Sequence, residues 1–246
     1  MDHVIYTAMS GANAAAQKQA VLSNNLANAS TNGFRAELST YRAVPVRGDG
    51  NPTRVLALEA TAGHLSTPGA SQRTGRSLDL MATGNAWFSV QGLDGTESYT
   101  RSGALEVSPD GTLLSSTGLP VLSDAGAPLM VPPGAEVSIG FDGNLSAKLG
   151  NQPPALVGRL KLVTPTAEDP LKRGNDGLFR STSGDPLPSD PNARVAVGSL
   201  ESSNVNAIET MVSMIQVARQ FEANMKLLQT AESNDKSADK LLSMQG

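Results

Sequence analysis

Apolar and small residues recur at steps of three and four at both ends of the chain, and in short alternating runs through its middle. In the first segment Ile5, Ala8, Ala12, Ala15, Gln19, Leu22, Leu26 and Ala29 fall on an unbroken three-four spacing. That is the seam of a helix that packs on another helix, although a small-residue one. Asp2 stands where an N-cap belongs, and Asn32-Gly33 supplies the left-handed residue that a helix end or turn wants. At the far end, SSNVNAIE places Asn206 and Glu209 at the N-cap and N3 spacing of a capping box. A second seam then runs through Ala207, Met211, Met214, Ala218, Phe221, Met225 and Leu228, with Glu222–Lys226 and Glu232–Lys236 as favourable pairs outside it.

Between the two helices the period changes. WFSV (87–90), ALEV (104–107), TLL (112–114), PLMV (128–131), EVSI (136–139) and ALVGRLKLV (155–163) read as short strands. Asp94-Gly95, Asp110-Gly111, Asp142-Gly143 and Asp176-Gly177 punctuate them, and Asp-Gly is a strong hairpin signal. The spacing leaves no room for crossover helices, so the middle is expected to be antiparallel, all-β and barrel-like. Before it, Pro45, Gly48, Asp49-Gly50, Asn51-Pro52, Gly63 and Pro68-Gly69 break every pattern except VLAL (55–58). The expected organisation is a mixed α and β chain. Residues 1–41 form the first helix of a helical domain, 42–76 an extended linker with at most one strand, and 77–183 the β domain. A return linker over 184–203 leads to the second helix, 204–246, which pairs with the first in coiled-coil fashion.

The flanks of the first seam are unusual. From His3 to Phe34 the only formally charged side chain is Lys18. A two-stranded coil in water carries Glu and Lys beside its seam. Here Ala, Ser, Asn, Gln and Thr stand in those places. The run NNLANASTNGF (24–34) ends the helix, and Asn32-Gly33 is accounted for as cap and turn. Asn24 and Asn28, four apart on one face, are not. Uncharged amides can bond to neighbours in a crowded helical setting without the cost of burying ions. The stretch is therefore expected to be a cap at its end and an inter-subunit face before it.

Composition narrows the function. The net charge is −4 and the pI near 5.2, which argues against a nucleic-acid partner. No run of 18 apolar residues is present, so no membrane insertion is expected. MDHVIYTAMSG lacks the basic and apolar regions of a cleaved signal peptide. With no cysteine there is no disulfide framework, thiolate nucleophile or Cys-based zinc site.

Candidate chemistry is sparse. No phosphate loop, GxSxG elbow or HExxH motif occurs, and the two histidines, His3 and His64, sit in a helix start and a linker. Asp79, Glu97, Asp110 and Asp142 are scattered, and turn chemistry accounts for those that precede glycine. Asp142-Gly143-Asn144 lacks the alternating ligands and distant Glu of a calcium loop. No catalytic, cofactor or metal residue is assigned, and an enzyme is not expected.

Three segments carry a resemblance. SNNLANASTNGF is similar to the N-terminal signature of the bacterial flagellar rod and hook proteins. YTRSGALEVSPDGTLLSSTGLPVL (99–122) resembles their shared β-domain motif, and SLESSNVNAIETMVSMIQVARQFEANMKLLQ (199–229) their C-terminal helix motif. DHVIYTAMSGA, SLDLMATGNAWFSVQ and VPPGAEVSIGFDG resemble the proximal-rod members in particular. The polar stretch His64 to Arg76 departs from the pattern.

The resemblance implies a structural subunit of the rod in the periplasm, exported through the flagellar export apparatus without a cleaved signal. Its partners would be proximal and distal rod proteins and further copies of itself in a helical assembly that transmits torque. The subunit-interface residues would be Ile5, Ala8, Ala12, Ala15, Leu22, Asn24, Asn25, Leu26, Asn28, Asn32, Gly33 and Phe34 at one end. At the other they would be Met211, Met214, Ala218, Phe221, Met225 and Leu228. The adaptable Met211, Met214 and Met225 suit quasi-equivalent contacts. Trp87, Phe88 and Tyr99 are expected in the β core. Two alternatives remain: a distal-rod or hook-type member, and a secreted β-rich binding module with a helical stalk. The second would need an exposed aromatic surface, for which one Trp and three Tyr provide little.

Overall fold

A computed structural model describes residues 2–45 and 55–243. The chain is mixed α and β, with a long helix at each end and antiparallel strands between. It divides into two compact units. A helical unit holds 1–29, 36–65 and 205–246, and a β unit holds 30–35 and 66–204.

In the helical unit, α1 (Asp2–Ala27) and α2 (Ala207–Ser243) pack against each other. The small residues of the α1 seam are the ones that go in: Ala8, Ala12 and Ala15 are buried, and Ile5, Gln19, Leu22, Leu26 and Ala29 are half-buried. Ala side chains let helix axes approach closely and lose no rotamer freedom. Gly11 takes this furthest, since a Cβ there would lie 3.0 Å from Asn224 Nδ2. The start of α2 is capped as its sequence demands, with Asn206 Oδ1 accepting from the main-chain N–H of Ile208 at 3.2 Å and of Glu209 at 3.3 Å. The side chain of Asp2, the expected cap of α1, lies outside the described residues, as do the turn positions Gly48, Asp49-Gly50 and Asn51-Pro52.

The segment expected to be a linker is instead a long hairpin. β1 (Glu37–Pro45) pairs antiparallel with β2 (Val55–His64), from Glu37 opposite His64 to Pro45 opposite Val55. The strand propensity lies in scattered β-branched and aromatic residues (Thr40, Tyr41, Val44, Val55 and Thr61) rather than in an alternating apolar pattern, which is why it reads as irregular. α1 holds β2 through Ser10, whose Oγ lies 3.1 Å from both the N–H and the carbonyl of Ala57.

The β unit opens with β3 (Ser71–Arg73), β4 (Leu80–Ala82), β5 (Trp87–Gln91), β6 (Glu97–Thr100), β7 (Leu105–Val107) and β8 (Leu113–Ser115). It continues with β9 (Glu136–Ile139), β10 (Asn144–Lys148), β11 (Ala155–Arg159), β12 (Leu162–Val163), β13 (Leu171–Arg173) and β14 (Phe179–Ser181). β15 (Val195–Val197) and β16 (Ser199–Glu201) close it. The largest sheet runs β12-β5-β6-β14-β13, a three-stranded one β11-β10-β9, and every named pairing is antiparallel. Gly95, Gly111, Gly143 and Gly177 all take positive φ, so the four Asp-Gly pairs do form turns. PLMV contributes only isolated bridges, at Pro128 and Met130.

The main sheet is buried on both faces. Phe88 and Val90 point into one cluster with Leu80, Leu105, Leu113 and Leu162, while Trp87 and Tyr99 point into another with Val163, Phe179 and Leu187. Trp87 and Phe179 meet with ring centroids 4.6 Å apart. The expected return linker is part of this fold: β15 pairs with β4, β16 pairs with β3, and the Leu187 N–H donates to Tyr99 Oη at 2.7 Å. Burial pushes the Tyr99 phenol well above its ordinary pKa, so it is the neutral hydroxyl that accepts this bond.

Candidate assembly interface

The α2 seam read from the sequence is rotated by about one position from the stripe that the fold buries. Thr210, Val217 and Ala231 are buried and Met214, Asn224 and Leu228 half-buried, whereas Met211, Ala218, Phe221 and Met225 are exposed. The inward stripe includes the polar Thr210 and Asn224, which a search for apolar spacing passes over, so the apolar pattern lands one position away. The first two turns then carry an exposed apolar stripe at i, i+3, i+4 and i+7: Ile208, Met211, Val212 and Ile215, each at least half exposed. Phe221, Met225 and Leu227 extend exposed apolar area further along α2. On α1, Val4, Tyr6 and Met9 are exposed in the same way, the last two beside Leu58 along a groove of about 360 Å³ between α1 and β2. Exposed apolar stripes of this kind make these helix faces candidates for an interface.

The asparagines have partners within the chain. Asn25 is buried and exchanges two bonds with the main chain of Glu37, its Nδ2 donating to the carbonyl at 2.9 Å and its Oδ1 accepting from the N–H at 2.8 Å. Asn24 Nδ2 donates to Glu37 Oε2 at 2.9 Å, and Asn28 Nδ2 reaches back to Asn24 at its carbonyl (2.9 Å) and its Oδ1 (3.0 Å). The cluster fixes the start of the β1–β2 hairpin to the end of α1. Asn32, Gly33 and Phe34 belong to the β unit. Gly33, at φ +71°, donates to the Glu201 carbonyl at 2.7 Å, and Phe34 lies under the Arg173 guanidinium, 4.5 Å from ring centroid to Cζ.

Around that point the structure assembles charged residues that the sequence reading passed over. Glu201 Oε1 pairs with Arg35 Nη2 at 2.8 Å, and Oε2 accepts a hydrogen bond from Arg101 Nε at 2.7 Å, with Arg101 Nη2 in ion-pair contact at 2.5 Å. All three side chains are at most 3% exposed. Arg35 and Arg101 also lie 5.9 and 5.8 Å from the Trp87 ring centroid. Burial pulls the Arg35 pKa below its ordinary value, and the Arg101 charge acts in the same direction against the opposing pull of Glu201. Each lies in or beside a quoted motif, but only the three-dimensional pairing shows why. Among the described residues, no group of three or more His, Cys, Asp or Glu is placed to hold a metal ion, and no helix is long and apolar enough to cross a membrane.

The helical unit is thus made from both ends of the chain, with the β unit inserted between them in the sequence. Residues 5–35 match the family model described as "Flagella basal body rod protein", 81–147 that of the "Flagellar hook protein FlgE/F/G D1 domain", and 196–241 that of the "Flagellar basal body rod FlgEFG protein C-terminal". The chain belongs to the flagellar basal-body rod protein family. It is 47% identical to the flagellar basal-body rod protein FlgF of Escherichia coli strain K12, over 99% of this chain and 100% of the relative. To FlgF of Salmonella typhimurium it is 45% identical over the same shares, and to FlgG of Buchnera aphidicola subsp. Schizaphis graminum 30% identical over 86% of this chain and 89% of the relative.

Proposed function

We propose that the chain is a structural subunit of the proximal flagellar rod, a non-enzymatic component of the basal body. The observation that carries this is the end-to-end match to proteins named FlgF, with higher identity and coverage than the match to the FlgG relative of Buchnera. That difference favours the proximal reading over the distal one.

In this reading the chain reaches the periplasm through the flagellar export apparatus without a cleaved signal. It packs there with copies of itself and with proximal and distal rod proteins in a helical array that carries torque. α1 and α2 form a coiled-coil-like pair, and the continuous core through β4, β5, β7, β8 and β10 supports a barrel-like reading of the β unit. Ala8, Ala12 and Ala15 serve the pairing inside the subunit, and the exposed Met211, Phe221 and Met225, with Ile208, Val212 and Ile215, serve contacts between subunits.

The chain has no cysteine, so a single engineered one gives an unambiguous cross-linking test. Met211→Cys and Ile215→Cys should form adducts with rod components in isolated basal bodies, whereas the buried Val217→Cys should not. Adduct formation that is equal at all three positions, or absent from all, would count against this face.

A further inference from the structure

Strand pairing and charge converge on one short stretch of the β unit. Residues 195–201 supply β15, the partner of β4, and β16, the partner of β3, and they end on Glu201. Every group that Glu201 engages comes from much earlier in the chain: Gly33 through its carbonyl, and Arg35, Gly69 and Arg101 through its carboxylate, with Gly69 N–H at 2.9 Å. Arg35 Nη1 is further held by the Thr67 carbonyl and Arg101 Nη1 by the Ala86 carbonyl. Without Glu201, two guanidinium groups would share one buried ring with no carboxylate between them. Like charges that close in a low-dielectric setting repel strongly.

We propose that Glu201 is an electrostatic latch that closes the β unit last. Until the return segment delivers this carboxylate, Arg35 and Arg101 hold each other away from Trp87, β3 stays without its strand partner, and β4 keeps only its Leu80 N–H bond to the Gly103 carbonyl. The unit therefore completes its packing only when residues 195–201 are in place, and the first 194 residues alone cannot close it. The latch is a property of the fold and is independent of the rod role.

The test uses the full-length chain, in which Trp87 is the sole tryptophan, so its fluorescence reports on that one position beside the latch. In Glu201→Gln, amide exchange in β3, β4, β15 and β16 should accelerate on the order of a hundredfold or more, and Trp87 should become more accessible to acrylamide. The β9–β10 pair should keep its protection. Replacing all three charges, as Arg35→Met with Arg101→Met and Glu201→Leu, should restore slow exchange and a shielded Trp87, because the repulsion has gone. Unchanged exchange in Glu201→Gln would overturn the proposal. So would a loss that spreads equally to β9–β10, or a triple variant as open as the single one.

Discussion

Asn25 treats Glu37 as one β-strand treats its neighbour: the side-chain amide gives one hydrogen bond to the main chain of Glu37 and takes one from it, at 2.9 and 2.8 Å. A residue near the end of a helix thereby sets where the following hairpin begins. Asn25→Ala removes both bonds to the part-buried N–H and carbonyl of Glu37, at a cost of about 1–2 kcal/mol. Asn25→Asp keeps an acceptor for the N–H but turns a second oxygen towards the carbonyl, and should lose nearly as much. Chemical denaturation followed by far-UV circular dichroism checks both, and the β unit should be unaffected.

Ala15→Glu and Ile215→Lys separate packing inside the subunit from packing between subunits. Ala15 is 4% exposed, so a glutamate there overpacks the α1 seam and strands a charge, costing on the order of 3 kcal/mol or more in the free protein. Its helical content should fall. Ile215 is 56% exposed, so Ile215→Lys should leave the free protein's helicity and melting unchanged while abolishing swimming. Circular dichroism on the purified chains and a motility assay on cells that carry each variant give the two readouts.

Tyr99→Phe deletes the acceptor of the Leu187 N–H and keeps the ring in its cluster. Leu187 is buried, so its N–H is left without a partner, at a cost of about 1–3 kcal/mol. The effect should be local, with faster amide exchange at Leu187 and its neighbours and little change in β9–β10.

Acid should loosen the β unit. Asp169, Asp176 and Asp190 all sit below their ordinary pKa of 3.8, mainly through hydrogen bonds from the Ser181 hydroxyl, Arg180 and the Thr164 hydroxyl respectively. A carboxylate whose pKa is depressed on folding adds stability that is fully present above its unfolded value and lost as the pH falls through the folded one. Thermal melting of the β unit should therefore be flat above about pH 5 and decline below about pH 4. A melting temperature that rises on acidification through that window would contradict this assignment.

The parts of the fold legible in the sequence were those with a local cause. The end helices follow from three-four spacing and from Asn206, and the hairpin turns from Asp-Gly pairs whose glycines must take positive φ. The β1–β2 hairpin was missed because its strands carry no apolar alternation, and β15 and β16 because three-residue strands preceded by a proline-rich stretch (Pro186, Pro188, Pro191) resemble a linker until their distant partners are seen. The interface residues were half legible. The three-four rule finds the helix but not which stripe turns inward, because the inward one includes the polar Thr210 and Asn224 while the outward one carries Met211 and Ile215. Arg35, Arg101 and Glu201 carry no local signal, since each looks like an ordinary surface charge until the chain brings them to Trp87.

The rod role itself is tested most directly by electron cryomicroscopy of basal bodies from cells that lack this chain. The account predicts rods that are missing, or broken off close to the inner membrane, with complete rods restored when the chain is supplied. Complete, hook-bearing rods in cells without the chain would contradict it.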